Sequence, residues 1–407
     1  MAWRETDIME ERTRFMAEWL ENEVTRTELC ERYGISRKTG YKWAARFAAS
    51  GPAGLHDLPR APLNHGRETS AEVVDRIVGL KETYPRWGPK KLIERLKRKE
   101  PGIAWPAIST TNEILKRHGL VGPRRKRWRA SGNGPWPAPS GPNSVWTADH
   151  KGWFKTRDGR RCEPLTVMDA SSRYLLALEA TSSTSQEEAW PVFERLFNEH
   201  GLPDRLRSDN GAPFASAGVT GLTPLSVRFI KLGIALERID PGKPQQNGGH
   251  ERFHLTMLPL AEAPQADKDA QGQAFDAFRQ EYNEERPHET LGMDTPAEHY
   301  RNSSRTMPAS TPEPDYPAEA AVRQVRQSGE IKWNGDLIYV SQTLAGEAVA
   351  ATEAEDGQWV LSFYAHPLGI IDGKRRRLVR RSAAPPRPAG AAADHNEGER
   401  TVTHVSG

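Results

Sequence analysis

Three acidic side chains stand in surroundings suited to phosphate chemistry. Asp149 lies in Ser144-Val-Trp-Thr-Ala-Asp-His-Lys-Gly, Asp209 in Arg207-Ser-Asp-Asn-Gly, and Glu251 in Pro241-Gly-Lys-Pro-Gln-Gln-Asn-Gly-Gly-His-Glu-Arg-Phe. Cleaving or transferring a phosphodiester requires charge neutralisation at phosphorus, an activated attacking oxygen and a stabilised leaving oxygen. Two divalent ions about 4 Å apart supply all three. Magnesium takes hard oxygen ligands in octahedral geometry and keeps several waters, so a few carboxylates suffice to hold it. Taken singly, each acid reads as an ordinary surface carboxylate, and Asp209-Asn-Gly reads equally as a turn that ends a strand.

The elements that must position these acids follow from the hydrophobic pattern. Ser144 to His150, Glu163 to Met168 and Tyr174 to Ala180 read as strands, the last two joined by Asp169-Ala-Ser-Ser. Gln186 to Glu199 is an amphipathic helix, Asp204 to Ser208 a short strand, Val227 to Leu232 part of a helix and Ala235 to Ile239 a strand. A helix after Pro244 carries Glu251, with Asn247 and His254 on the same face. Antiparallel strands followed by alternating helices and strands predict a mixed five-stranded sheet covered by helices on both faces. Ala274 to Glu284 is a further helix, and from Val322 short strands around Asn334-Gly-Asp and Asp356-Gly predict a small β-barrel.

Ahead of this region the chain is helical. Thr25 to Phe47 reads as helix, turn at Gly34, and a second helix capped by Ser36, the layout of a helix-turn-helix. Arg37, Lys38, Thr39 and Lys42 would face a DNA groove. A second three-helix unit starts near Ser70 and runs through Gly88-Pro-Lys-Lys to His118, with Trp87 and Trp105 as core anchors. Residues 86 to 129 hold 14 Lys or Arg against three Glu, a local charge of +11 in a chain whose total is +3. That asymmetry predicts a polyanion-binding surface, with Lys90, Lys91, Arg124, Arg125, Lys126 and Arg127 among its contacts.

The expected domains are residues 1–60 and 68–130 as two helix-turn-helix units, a Pro/Gly linker at 131–142, the acid-bearing α/β domain at 143–304, the barrel at 318–382 and a disordered tail at 383–407. The run Lys374 to Arg377 with Arg380 and Arg381 adds a basic patch to the barrel. Two cysteines, Cys30 and Cys162, are too few for a disulfide framework or a four-cysteine zinc site. No apolar run has membrane-spanning length and the N-terminus lacks signal-peptide order, so a cytoplasmic, nucleoid-associated location is expected.

Trp146-Thr-Ala-Asp149, Ser208-Asp-Asn-Gly-Ala-Pro-Phe214 and the block around Glu251 resemble, in order, the three catalytic blocks of insertion-sequence transposases in the retroviral-integrase (DDE recombinase) superfamily. Tyr282-Asn-Glu-Glu-Arg-Pro-His288 and Leu291-Gly-Met-Asp-Thr-Pro296 are similar to the segment that follows the core there. The resemblance covers roughly residues 15 to 300. It implies a ribonuclease-H-like core in which Asp149, Asp209 and Glu251 are catalytic and bind two Mg2+ ions, with Mn2+ able to substitute. It further implies cleavage of transposon ends by water, attack of the freed 3′-hydroxyl on target DNA, and a homo-oligomer that pairs two DNA ends. Lys151, Lys243, Gln246, Asn247 and Arg252 are the expected DNA contacts near the acids.

This sequence departs from the family pattern in places. The Asp209 to Glu251 interval is long, with Ala215 to Thr223 as a loop insertion, and His150 stands where an apolar residue is usual. Seven positions after Glu251, where a basic residue is expected to grip DNA, stands Leu258, and Pro259 is expected to stop the helix. A DNA transposase is the leading reading. A non-catalytic DNA-binding protein, a regulator or decayed transposase, is the alternative, and a plain ribonuclease H accounts less well for the helical units.

Overall fold

The computed structural model describes residues 7–58, 68–122, 138–240, 244–354 and 357–380. The chain divides into two compact units, Met1–Ser70 and Ala71–Gly407. Arg124 to Arg127, Lys243, most of the linker and the tail lie outside the described residues.

In the first unit, α1 (Ile8–Glu21), α2 (Arg26–Arg32) and α3 (Arg37–Ser50) bury Phe15, Trp19, Leu29, Cys30 and Trp43. Thr25 and Glu28 close a capping box at the start of α2. Gly34, at φ +62°, makes the turn a side chain would strain. Ser36 Oγ then accepts from Thr39 N at 3.2 Å and starts α3.

The second unit opens with α4 (Ala71–Thr83), α5 (Pro89–Lys99) and α6 (Ile108–Arg117), packed around Ile77, Trp87, Leu92, Leu96 and Leu115. Trp87 is buried, and the half-buried Trp105 donates its indole N–H to Glu100 O at 3.2 Å.

The central sheet holds β1 (Trp146–His150), β2 (Phe154–Lys155), β3 (Arg161–Asp169), β4 (Leu175–Thr181), β5 (Arg205–Ser208) and β6 (Ala235–Arg238). β3 pairs antiparallel with β1 and β4, while β1–β5 and β5–β6 are parallel, giving the expected mixed sheet. A sixth strand, the short β2, pairs with the start of β3 ahead of the stretch that pairs with β1. Alternation along β1 sends Trp146 and Ala148 into a core with α7 (Gln186–His200) and α8 (Pro224–Lys231), where Phe193, Phe197 and Phe229 pack. Thr147 and Asp149 therefore face the opposite layer, formed by α9 (Gly248–Glu262) and α10 (Lys268–Gln280). That layer packs Phe253, Met257 and Phe275 on Met168, Leu175 and Leu178. A π-helical turn at Glu281–Glu285 and the short α11 (Pro296–His299) follow.

Pro259 does not stop α9, which continues to Glu262. Proline removes the N–H that would bond to Leu255 O, and Arg86 occupies that carbonyl instead, with Nη1 at 3.4 Å, while its Nη2 pairs with Glu262 at 2.9 Å. One guanidinium thus bridges the gap in the helix ladder.

The C-terminal region comprises β7 (Ala321–Gln324), β8 (Glu330–Trp333), β9 (Asp336–Tyr339), β10 (Ala348–Glu353), β11 (Trp359–Phe363), β12 (His366–Asp372) and β13 (Arg377–Val379). Asn334 and Gly335, both at positive φ, turn the β8–β9 hairpin as the sequence predicts. The expected barrel takes another form. Five strands make one antiparallel sheet in the order β13-β12-β11-β10-β7, β8 and β9 stand apart, and no strand pairing among the described residues closes a ring. Burial explains this arrangement, because Ile331, Trp333 and Ile338 of the hairpin share one core with Leu361 and Phe363 of the sheet and with Val227 and Ile230 of α8. Among the described residues no helix is long and apolar enough to cross a membrane.

Candidate active site

Strand register brings the first two acids together. β1 and β5 run parallel with Trp146 opposite Leu206 and Thr147 opposite Arg207. Two residues further along each strand stand Asp149 and Asp209, and neighbouring strands lie about 4.8 Å apart. Asp209 folds back on itself, its Oδ1 accepting from Gly211 N at 3.1 Å, and Asn210 Nδ2 donates to Ile239 O at 2.7 Å. The turn reading of Asp209-Asn-Gly therefore holds, and it fixes the carboxylate rather than competing with a chemical role.

Glu251 reaches the same place through α9. The helix is tied to the sheet by a buried network absent from the sequence-based candidates. Thr166 Oγ1 donates to Asp149 O at 2.8 Å and lies 2.5 Å from His250 Nε2 and 3.1 Å from His254 Nε2, while Thr147 Oγ1 lies 2.8 Å from His250 Nδ1. With Thr166 donating to the carbonyl, His254 carries its proton on Nε2, while the tautomer of His250 depends also on Thr147, whose hydroxyl reaches Met168 O at 3.3 Å. His254 Nδ1 then faces Asp149 Oδ2 at 3.9 Å. Burial holds His250 well below its ordinary value and His254 down at about 4, so the His254–Asp149 approach is not an ion pair.

His250 and His254 flank Glu251 as His-Glu-x-x-His, a pattern that on a helix can hold zinc. Here both nitrogens of His250 face threonine hydroxyls, so the pattern anchors the helix. The i, i+4 spacing of the two histidines was the signal that could have revealed this anchoring role.

The electrostatics single out Asp149. Its carboxyl is pushed up to about 7, first by burial, then by the negative charge of Asp209, with Glu251 adding to it. Three carboxylates thus act on one point, and Lys151 offsets their charge only in part. Their donor set is hard oxygen and fits magnesium, which completes its shell with water. Among the described residues no three His, Cys, Asp or Glu side chains converge tightly enough to enclose an ion. Glu251 stands at the exposed start of α9.

The predicted DNA contacts are placed as follows. Arg37, Lys38 and Lys42 are exposed on α3, while Thr39 is half-buried with its Oγ1 2.9 Å from Ser36 Oγ. Lys151 is half-buried within the field of Asp149, and Arg252 is exposed beside Glu251. Gln246 and Asn247 are buried, and Gln246 clamps Asp240 through Oε1 to the backbone N–H at 2.7 Å and Nε2 to Oδ2 at 3.0 Å. Lys90 approaches Glu289 at 3.9 Å, and Lys91 is half-buried. His150, next to Asp149, is packed near Phe214, and neither ring nitrogen has a hydrogen-bond partner.

Solved structures that match the chain include the HTLV-2 integrase catalytic core domain in complex with magnesium, at 15% identity and TM-score 0.30, covering 40% of this chain and 99% of that one. Another is the simian T-cell lymphotropic virus intasome in complex with PP2A regulatory subunit B56 gamma, at 16% identity and TM-score 0.35, covering 73% and 99%. Among curated proteins, an uncharacterized 31.7 kDa protein of insertion element IS407 from Burkholderia multivorans is 29% identical over 39% of this chain, and the chain spans 56% of its length. An uncharacterized 39.2 kDa protein of insertion element IS476 from Xanthomonas euvesicatoria is 28% identical over 60% of this chain and 68% of its own. Models of the integrase core domain match residues 139–244 and 232–296, a helix-turn-helix domain matches 11–62, and a homeodomain-like domain matches 39–115. The chain thus carries helix-turn-helix and integrase core domain matches in this order and resembles insertion-element proteins, findings that together support an insertion-sequence transposase of the DDE integrase superfamily.

Proposed function

We propose that this protein is an active DNA transposase, which binds the terminal inverted repeats of its element through the helix-turn-helix units and cleaves and transfers DNA strands at Asp149, Asp209 and Glu251. The observation that supports it most is the β1–β5 register, which sets Asp209 beside Asp149 under the added charge of Glu251. Two Mg2+ ions held by these three carboxylates, or Mn2+ in their place, would neutralise the phosphate and activate the attacking oxygen. The chain's own residues fix the frame: the Thr147, Thr166, His250 and His254 network locks the strand of Asp149 to the helix of Glu251, and the Asn210 bond holds the turn of Asp209. Cleavage by water and attack by the 3′-hydroxyl are both in-line phosphoryl transfers, so one set of acids can serve both. Partners are the element's ends, target DNA and further copies of this chain. The domain limits given above and a nucleoid-associated location are parts of the same proposal.

A repeat-binding protein without catalysis is the second reading, favoured by the apolar Leu258 two turns after Glu251. Purified protein incubated with labelled end DNA and Mg2+ separates the two. Wild type should nick, and Asp149→Asn should bind equally while nicking falls at least ~1000-fold, as expected on losing several kcal/mol of charge stabilisation. Binding by both proteins with nicking by neither would sink the enzyme reading and leave the binder.

A further inference from the structure

Three cationic side chains gather behind the first turn of α9 without an acceptor. Lys91 comes from α5, Arg173 from the turn between β3 and β4, and Arg286 from the segment after the π-helical turn. Among the described residues none of the three has a side-chain hydrogen bond or an ion pair. His288 lies in the field of all three, and its Nε2 is buried without a partner. Two acids offset the group only in part: Glu289 acts on Lys91 and Glu281 on Arg286, neither through a hydrogen bond or an ion pair.

Two further features show a group held in place by its surroundings. Arg173 adopts φ +64°, a conformation that costs a non-glycine residue on the order of 1 kcal/mol or more. Asp169 holds that turn, its Oδ2 accepting from Ser172 N at 2.7 Å and from Ser172 Oγ at 2.6 Å. Across from it, a Cβ on Gly249 would stand 2.1 Å from Arg173 Nη1, so a side chain at 249 would push the end of the guanidinium aside from its place against α9. Arg286 lines a groove of about 620 Å³ together with Glu251, Arg252 and Arg86. Of the three cations only Arg286 lines this groove, and Lys91 and Arg173 stand behind it. Half-buried like charges repel each other and are costly to desolvate, so an anion bound at Arg286 would also ease the repulsion it feels from its neighbours.

We propose that Lys91, Arg173 and Arg286 form a site for a backbone phosphate of DNA beside Glu251, giving α9 the basic grip that Leu258 lacks. The proposal rests on the transposase reading. Arginine suits the role through its planar fork, which matches phosphate oxygens.

The test uses the full chain in EDTA, with a short fluorescent duplex of arbitrary sequence titrated at several chloride concentrations. Removing one cation that neutralises a phosphate should lower the salt slope by about 0.9 and weaken binding uniformly across sequences. Arg286→Gln and Lys91→Gln should each show that decrease, and Arg286→Lys should restore most of it. Gly249→Ala removes no charge but displaces Arg173, and it should show the same decrease even if a glutamine variant fails to fold. Wild-type binding with unchanged slopes in all these variants would overturn the site and leave the transposase reading standing, whereas a wild type with no salt-dependent binding would refute that reading. Displacement of the duplex by inorganic phosphate, beyond chloride at equal ionic strength, would make this a free-phosphate site and overturn the DNA assignment.

Discussion

The two helical trios resemble each other in layout but use their positive charge differently. On α3, Arg37, Lys38 and Lys42 are exposed, and none forms an ion pair among the described residues. On and just before α5, Arg86 pairs with Glu262, Arg95 with Glu285 at 2.9 Å, and Arg98 with Asp294 at 2.6 Å and Glu298 at 2.8 Å. The partners all lie in the acid-bearing half of the chain. A charge count along residues 86–129 therefore overstates what is left for DNA. Much of the basic charge on and just before α5 joins that helix to α9 and to the segments after α10, while Lys97, Lys99 and Arg117 stay exposed without an ion pair among the described residues.

The largest effects should come from exchanging these roles. Replacing Arg37, Lys38 and Lys42 together with Gln should cut affinity for duplex DNA by tenfold or more at moderate salt, since each neutralised phosphate carries about 0.9 of the salt slope, and leave the melting temperature unchanged. Arg98→Gln should do the opposite. It strips three acceptors at once, Asp294, Glu298 and Met293 O, and should lower stability by about 1 to 2 kcal/mol after allowance for its exposure, with little change in affinity. Equal weakening of affinity in both variants would erase the contrast between the trios.

The contrast also marks how far the sequence could be read. Periodicity and caps were enough to place α3 and its Ser36 cap, the strands that carry Asp149 and Asp209, and the helix of Glu251, because each is a local pattern. The three acids could be named from their linked blocks, and the strand register then set Asp149 beside Asp209. The partners of Arg98, nearly 200 positions away, left no local trace. Nor did the pairing of His250 with two threonines on different strands, or the hairpin that covers the C-terminal sheet in place of a closed ring. Those features depend on which distant surfaces meet, and a single sequence carries them only weakly.

Acidification should sharpen the difference between the trios. His288 is held down at about 3, first by burial and then by Lys91 and Arg286, and His366 at about 4 by burial and Arg238. Both stay neutral in the fold, while in the unfolded chain they take up protons below about pH 6.5. The unfolded state then binds more protons, so the stabilisation is fully present above that pH and is lost progressively as pH falls toward the folded values. The described part of the first unit has one histidine, His56, and it is exposed. Calorimetry of the full chain between pH 7.5 and 5 should show the transition of the larger unit falling by several degrees while that of residues 7–58 moves little. Parallel movement of the two would remove burial of these histidines as the cause.

The smallest effect concerns Arg86, whose charge substitutes for a backbone donor. Pro259→Ala restores the N–H to Leu255 O and relieves an interior proline that costs up to about 3 kcal/mol relative to alanine. The gain should be smaller here, because Arg86 already satisfies the carbonyl. Arg86→Gln should cost about 1 kcal/mol in the wild type, for one carbonyl bond and one exposed pair with Glu262. In the Pro259→Ala background it should cost only the pair. A double-mutant cycle by urea unfolding therefore predicts a coupling of about 0.5 kcal/mol or more between positions 86 and 259. Strict additivity would mean that the guanidinium only rests on α9, and that the helix tolerates Pro259 for reasons of packing alone.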